Sequence, residues 1–213
     1  MGCYVAQLFA AAIFYADDMC ILSPSLKGLQ KLLDLCSAYC MEWDICLNPK
    51  KSKILCFGKP INSIFKPTLN GTPIDWVHEW KYLGVMLKSG QTFGCSVVET
   101  VKSFYRSLNS ILRVEGRSDD VVLLRLIEAH CVPVLTYAIE IVHVANRDER
   151  RSLRVAYNSI FRKLFAYRTY ESVTNLQHFL GRKTWEELIN SRTSGFMHRV
   201  KSTEGNPLIS LLC

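Results

Sequence analysis

Two adjacent carboxylates, Asp17 and Asp18, lie between two short apolar runs of the chain. The first run extends from Val5 to Tyr15, and Met19 opens the second immediately after the acids. Acidic residues are scarce in strand interiors and avoid burial, so this pattern predicts a hairpin with both acids at its tip. Carboxylate oxygens suit Mg²⁺, although Asp is also common in ordinary solvated turns. The pair is a candidate metal site, and its interpretation depends on the segments that follow.

Four further segments follow the acids in order. Leu26, Leu29, Leu33, Cys36, Cys40 and their neighbours recur every three or four residues, which predicts an amphipathic helix over 25–43 with Ser25 as its N-cap. Residues 47–53 then read LNPKKSK, residues 69–74 read LNGTPI with a two-residue hairpin signal, and residues 80–85 read WKYLGV.

Together with Tyr15-Ala16-Asp17-Asp18, these segments resemble, in order and spacing, part of the reverse transcriptases of non-LTR retrotransposons. The acids match that family's catalytic hairpin, residues 47–53 its L-N-x-x-K-S segment, and residues 80–85 its primer-grip strand. The resemblance covers roughly residues 1–90 and is looser beyond them. It implies RNA-directed DNA synthesis with Mg²⁺, and RNA and DNA as template and primer.

The resemblance also implies roles for single residues. Asp17 and Asp18 would be catalytic metal ligands, with Asp17 the stronger, because adjacent strand residues point to opposite faces unless a turn intervenes. Lys51 would protonate the departing pyrophosphate, and Tyr15 would lie against the primer end. The primer backbone would contact Lys81, Tyr82, Leu83 and Gly84. A solvated lysine run around Lys51 and a purely structural edge strand at 81–84 remain the alternatives.

The sequence departs from the family's pattern at one decisive point. In the family a further metal-binding aspartate comes from an earlier strand, whereas only sixteen residues precede Asp17 here and none is Asp or Glu. We therefore expect a remnant or fragment of the polymerase, with the second half of the palm and the thumb, that is inactive alone. Whether the chain is an enzyme stays open. The alternatives are a non-enzymatic nucleic-acid-binding protein that uses the basic C-terminal helices, or a piece of a longer active polyprotein.

Positive charge is concentrated in the last third of the chain. The net charge is +7, and residues 146–213 carry 12 Lys and Arg against 6 Asp and Glu. In the predicted helix 147–168, Arg151, Arg154 and Arg162 fall opposite an apolar stripe at helical spacing. Such arrays hold phosphate backbones without reading sequence, although a merely solvated basic face is the alternative. A polyanion partner is expected for this part of the chain.

The cysteines indicate a reducing compartment. There are nine, an odd number, with no C-x-x-C pair and no zinc spacing. The apolar start lacks a basic leader, so it is not interpreted as a signal peptide, and no run is long enough for a membrane span. We expect an intracellular protein, nuclear or cytoplasmic, that is not secreted.

The predicted fold class is α+β. Residues 1–90 are expected to form a partial reverse-transcriptase palm, with antiparallel hairpin strands and one helix. Strands are expected around the acids, near 54–57, at 65–69 and 72–76, and over 80–87. Residues 91–213 are expected to form an all-helical thumb-like region, in which Pro133 splits a helix predicted over 119–145.

Overall fold

The structure is a computed structural model of the 213-residue chain. It describes residues 2–5, 7–59, 65–114, 119–142, 147–203, 205 and 209. The chain divides into two compact units, the first comprising Met1–Trp80, Ser89–Thr92 and Val200–Cys213, the second Lys81–Lys88 and Phe93–Arg199. These bounds differ from the predicted palm at 1–90 and thumb at 91–213, whose identities stay predictions. The mixture of helices and small sheets agrees with the predicted α+β class.

The first unit begins with two successive antiparallel hairpins. β1 (Cys3–Val5) pairs with β2 (Leu8–Ala10), and β3 (Ala12–Tyr15) pairs with β4 (Asp18–Ile21). The sequence pattern predicts one strand over the apolar run before the acids, and this prediction is wrong, because the chain already reverses between β1 and β2. The rings of Tyr4 and Phe9 meet edge to face at 5.2 Å across the first hairpin, and such cross-strand aromatic pairs stabilise the reversal.

Helix α1 (Leu26–Glu42) provides the core of the first unit. Ser25 is its N-cap, as the sequence predicted, and the Ser25 hydroxyl accepts a hydrogen bond from Gly28 N at 3.1 Å. Gln30 on this helix donates to Thr68 O at 2.9 Å and accepts from Thr68 N at 2.8 Å. The buried cluster that these bonds adjoin consists of Leu33, Ile54, Leu69 and Ile74.

Two short strand pairs complete this unit. β5 (Lys53–Ile54) runs parallel to β8 (Asp75–Trp76), and β6 (Thr68–Leu69) is antiparallel to β7 (Thr72–Pro73). The hairpin predicted from Asn70-Gly71 is confirmed, since these residues adopt φ values of 51° and 73°. Two consecutive positive φ angles are the geometry that Asn-Gly favours in two-residue turns.

The second unit begins within a three-stranded sheet. β9 (Glu79–Tyr82), β10 (Val85–Lys88) and β11 (Gly94–Ser96) lie in the order β11-β10-β9. The predicted single strand over 80–87 is wrong, because a two-residue turn divides it. The prediction of an all-helical region from residue 91 is also corrected by β11, whose Cys95 is buried among the helices' core residues.

The rest of this unit consists of packed helices. Pro133 lies in the first turn of α4 (Val132–Thr136), where a missing N–H costs little, so the predicted division of the 119–145 segment is confirmed for its described part. The fully buried centre of the second unit includes Phe104, Leu108, Ile127 and Ile160. The helices are α2 (Val98–Val114), α3 (Asp120–His130), α4 (Val132–Thr136), α5 (Ile139–Val142), α6 (Arg147–Leu164), α7 (Thr174–Phe179) and α8 (Trp185–Ser202).

Within the described part of the chain, no helix is both long and apolar enough to span a membrane.

Tyr157 of α6 is a buried titratable group in the core of the second unit. Its hydroxyl donates to Lys183 O at 2.8 Å, and its ring packs 5.5 Å from that of Trp185. Burial, and secondarily the carboxylate of Glu128, raises the pKa of Tyr157 to about 12. The neutral phenol is therefore the form that the fold stabilises.

The free energy of unfolding of the wild-type chain should fall at high pH. The part of this fall that comes from ionisation of Tyr157 should be absent in Tyr157→Phe. An unfolded tyrosine has a pKa near 10, so the contribution of Tyr157 is complete below about pH 10 and is lost as the pH rises towards 12. Urea unfolding at several pH values between about 8 and 11.5 measures this. The variant should be about 1 kcal/mol less stable at the lowest pH, because it lacks the hydrogen bond, with a smaller loss above pH 10. Parallel pH profiles for the two proteins would contradict the assignment.

Candidate functional site

The acidic pair lies at the tip of the second hairpin. Tyr15 is the cross-strand partner of Asp18, so Ala16 and Asp17 form the two-residue connection between β3 and β4. Ala16 has φ 51°, a left-handed conformation that costs a non-glycine residue roughly 1–2 kcal/mol. Tyr15, Asp17 and Asp18 are all solvent-exposed. The predicted hairpin is confirmed, and its tip presents two carboxylates and one phenol to solvent.

The Asp17 and Asp18 carboxylates fit a magnesium ion only if further ligands complete its coordination. Both acids supply hard oxygen donors, the type that Mg²⁺ prefers, and the turn brings them to one end of the hairpin. Among the described residues, however, no group of three or more His, Cys, Asp or Glu side chains could hold a metal ion. A magnesium ion bound here would need further oxygen ligands, such as water, a phosphate-bearing substrate or another carboxylate.

The Lys51 segment is a compact loop of the first unit. Asn48 organises it, because its side-chain oxygen accepts from the backbone N of Lys50 at 3.0 Å and of Lys51 at 3.3 Å. Lys53 is engaged, since its ammonium lies 3.2 Å from the Asp75 carboxylate. The hydrogen bond from Lys66, and secondarily that from Lys53, lowers the pKa of Asp75. The Lys51 side chain is exposed, and its catalytic role stays a prediction.

The primer-grip-like segment is a tight turn whose glycine meets an aromatic ring. Leu83 and Gly84 join β9 to β10 with φ values of 44° and 81°. A Cβ built on Gly84 would lie 2.8 Å from the ring of Tyr137. The hydroxyl of Tyr137 also donates to Leu83 O at 2.8 Å. A side chain from the helical part of this unit therefore approaches Gly84 closely.

Sequence reasoning did not find Tyr137. It lies 54 residues beyond Leu83 in a short connection between α4 and α5, and no motif surrounds it. Lys81 on the same strand is exposed and Tyr82 is half-buried. The contacts proposed for Lys81, Tyr82, Leu83 and Gly84 with a primer stay predictions, whereas their support by Tyr137 is a feature of the fold.

The arginines of α6 do not form one uniform face. Arg151 and Arg154 are exposed, and Arg154 lies 3.4 Å from the carboxylate of Glu186 on α8. Arg162 differs from the expectation, because it is half-buried and donates two hydrogen bonds, at 3.0 and 3.3 Å, to Glu171 O. Lys163 likewise contacts Asn109 at 2.8 Å. The C-terminal end of α6 stabilises neighbouring segments, and the exposed arginines lie nearer its N-terminus.

Comparisons with known proteins agree with these features. Residues 6–87 match the family model described as reverse transcriptase (RNA-dependent DNA polymerase). This part of the chain is similar to the reverse transcriptase family. The matched stretch contains the acidic hairpin, the Lys51 loop and the Leu83–Gly84 turn, which confirms the resemblance stated above.

Curated relatives extend the likeness into the helical part. The chain is 29% identical over 198 residues to a probable RNA-directed DNA polymerase from transposon BS of Drosophila melanogaster, covering 88% of this chain and 22% of that protein. It is 27% identical over 159 residues to the RNA-directed DNA polymerase from mobile element jockey of Drosophila funebris, covering 70% of this chain and 17% of that protein. The chain thus spans about a fifth of the length of these relatives. No solved structure matches it significantly.

Substituting Gly84 tests how closely Tyr137 supports the turn, with Gly71 as the matched control. Each glycine is the second residue of a two-residue turn and has a positive φ angle. A Cβ built on Gly71, however, meets nothing within 4 Å. Gly71→Ala should cost about 1–2 kcal/mol in thermal or urea unfolding, since only the backbone is strained. Gly84→Ala should cost at least about 1 kcal/mol more, because the Tyr137 ring must also move.

Tyr137→Phe distinguishes the ring contact with Gly84 from the hydrogen bond to Leu83 O. It keeps the ring and removes the bond to Leu83 O, so it should cost about 1 kcal/mol. Equal losses for the two glycine variants, together with an unchanged stability for Tyr137→Phe, would show that Tyr137 does not hold the turn.

Proposed function

We propose that this chain is the catalytic-hairpin and helical portion of an RNA-directed DNA polymerase of a non-LTR retrotransposon. The observation that carries the proposal is the exposed Asp17–Asp18 pair at the tip of the β3–β4 hairpin, inside the stretch that matches the reverse transcriptase model. The substrates would be deoxynucleoside triphosphates and an RNA template with its primer. We also propose an intracellular location, nuclear or cytoplasmic, which the free thiols of Cys95 and Cys131 suit.

In this reaction the hairpin acids would hold Mg²⁺. Bound there, the metal would activate the primer hydroxyl and stabilise the charge of the leaving pyrophosphate. Asp17 and Asp18 would supply carboxylate ligands, and the adjacent exposed Tyr15 would lie against the primer end. Lys51, exposed on its Asn48-organised loop, would donate a proton to the departing pyrophosphate. The Leu83–Gly84 turn, which Tyr137 supports, would contact the primer backbone.

We also propose that this chain has no polymerase activity by itself. Two adjacent carboxylates do not complete a two-metal site, and the described residues offer no third protein ligand to such a group. A further carboxylate supplied by another part of the polymerase would complete the set. The fragment would then be a contributor to catalysis rather than a self-sufficient enzyme.

A primer-extension assay tests this part. The purified chain, with a primed RNA template, deoxynucleoside triphosphates and Mg²⁺ or Mn²⁺, should give no template-dependent incorporation. Asp17→Ala serves as the matched control and should give the same background signal. Incorporation by the wild-type chain that disappears in Asp17→Ala would overturn the proposed inactivity while supporting the catalytic assignment of Asp17.

The second candidate function is sequence-independent nucleic-acid binding by the C-terminal helices. The exposed side chains of Arg151 and Arg154 on α6 favour it, as does the excess of basic over acidic residues in 146–213. It requires no catalytic metal. Affinity of this kind comes from release of the counterions that screen the phosphates, so it depends steeply on salt.

A salt titration of a labelled RNA–DNA hybrid measures that binding. The logarithm of the affinity should fall linearly with the logarithm of the salt concentration, and Arg151→Gln should reduce the slope by about one counterion without changing stability. Arg162→Gln is the contrasting variant. It should lower stability by about 1–3 kcal/mol, because it leaves Glu171 O without its charged donor. Absent or salt-independent binding of the wild-type chain would exclude the electrostatic mode.

A further inference from the structure

A groove lies between the beginnings of α6 and α8 within the second unit. It encloses about 690 Å³, a volume within the range of ligand sites in proteins. One wall is the first two turns of α6, and the other is the first turn and a half of α8. The lining residues are Arg147, Asp148, Arg150, Arg151, Arg154, Trp185, Glu186 and Ile189.

Four arginines of α6 follow one another along this groove. Arg147, Arg150, Arg151 and Arg154 are spaced by three, one and three residues, so they form one stripe on the helix. At 1.5 Å rise per residue the stripe is about 10 Å long, enough to face more than one phosphate of a strand. Four guanidinium groups face two carboxylates among the lining residues, which leaves the groove positive.

The floor of the groove is rigid and apolar. Trp185 is 3% exposed and Ile189 is 4% exposed, and the Trp185 ring packs against Tyr157. A tryptophan so deeply buried presents no free ring face on which a base could stack. Among its described lining residues, the groove therefore offers groups for a charged backbone and no exposed aromatic ring for stacking bases.

Two observations show how the arginines are engaged. The Nε atom of Arg150 is buried and has no hydrogen-bond partner among the described residues. Because this nitrogen is shielded from solvent, an anion in the groove would meet the terminal guanidinium nitrogens of Arg150 instead. Arg154, by contrast, already pairs with Glu186 at 3.4 Å, and both side chains are more than half exposed.

We infer that this groove binds the phosphate backbone of a nucleic-acid strand, and that Glu186 competes with phosphate for Arg154. The inference rests on the proposed nucleic-acid function and specifies its site. A phosphate entering beside Arg150 displaces the Glu186 carboxylate from Arg154, because both anions need the same guanidinium donors. Guanidinium groups suit this exchange, since they bind carboxylate and phosphate with the same forked geometry.

The chain contains a closely matched control for Glu186. Glu99 is the second residue of α2 as Glu186 is the second residue of α8, and their side chains are 61% and 60% exposed. Each forms one exposed ion pair, Glu99 with Lys102 at 2.8 Å and Glu186 with Arg154 at 3.4 Å. Replacing either acid by Gln raises the net charge by one and removes the same favourable carboxylate from a helix N-terminus.

The experiment measures the affinity of the full chain for a labelled RNA–DNA hybrid over a range of salt concentrations. Glu186→Gln should tighten binding about two- to fivefold, the range expected for release of one exposed ion pair, whereas Glu99→Gln should change it less than twofold. Arg150→Gln and Arg154→Gln should each weaken binding and reduce the salt slope by about one. Arg125→Gln, on the exposed surface of α3, is the control for loss of one positive charge.

A double variant tests the competition itself. If Glu186 acts through Arg154, Glu186→Gln should have little effect in a chain that already carries Arg154→Gln, because the contested guanidinium is absent. Additive effects of the two substitutions would overturn the competition. Melting curves of every variant distinguish a lost contact from a lost fold, and a variant that melts early is replaced by the Lys substitution at the same arginine.

The outcomes distinguish a failure of the proposed nucleic-acid function from a failure of the groove assignment. If the wild-type chain shows no salt-dependent binding, the proposed nucleic-acid function itself fails. If the chain binds but Glu186→Gln behaves like Glu99→Gln, and Arg150→Gln like Arg125→Gln, binding occurs elsewhere and the groove assignment fails. Displacement of the hybrid by polyglutamate at equal charge concentration would show a general anion site, and would overturn the assignment to a phosphate backbone.

Discussion

Burial of the apolar stripe of α6 is the constraint on which the second unit and its basic surface depend. Leu153, Ala156, Ile160 and Phe161 are at most 1% exposed, and each contributes to the same core as the helices around it. Burying a Leu, Ile or Phe side chain stabilises the folded state by roughly 1.5–3 kcal/mol, more than a typical surface ion pair. The rotation of α6 about its axis is therefore set by the core, and the arginines occupy the positions that remain.

The same constraint explains why the basic residues of one helix have different uses. Near the C-terminal end of α6, Arg162 and Lys163 reach acceptors supplied by neighbouring segments of this unit, the Glu171 carbonyl and the Asn109 side chain. Near its N-terminal end, Arg154 of the exposed arginine stripe pairs with Glu186, and this exposed ion pair is a weak and displaceable contact. Positive charge alone does not identify a binding surface, because an arginine that stabilises a carbonyl is not free to bind phosphate.

The first unit depends on backbone geometry more than on its core. Its buried cluster is small, and the hairpins are formed by turns in which Ala16, Asn70 and Gly71 adopt positive φ. Asn and Gly adopt that conformation at little cost, whereas Ala does so only when the surrounding strands require it. The strain at Ala16 lies next to Asp17, in the stretch that matches the reverse transcriptase model.

The sequence by itself determined the local elements whose signals are short-range. Ser25 predicted the start of α1, Asn70-Gly71 predicted a hairpin and Pro133 predicted a helix boundary, because caps, turns and missing N–H groups act within a few residues. The order of the Asp17, Lys51 and Leu83 segments likewise indicated the resemblance to reverse transcriptases, which the family model for residues 6–87 supports. Only the tertiary structure decided that Leu83–Gly84 turns against Tyr137, that Arg162 is engaged internally and that Glu186 faces Arg154. These contacts join residues 9 to 54 positions apart, and no local pattern records them, because packing of the core selects which distant side chains meet.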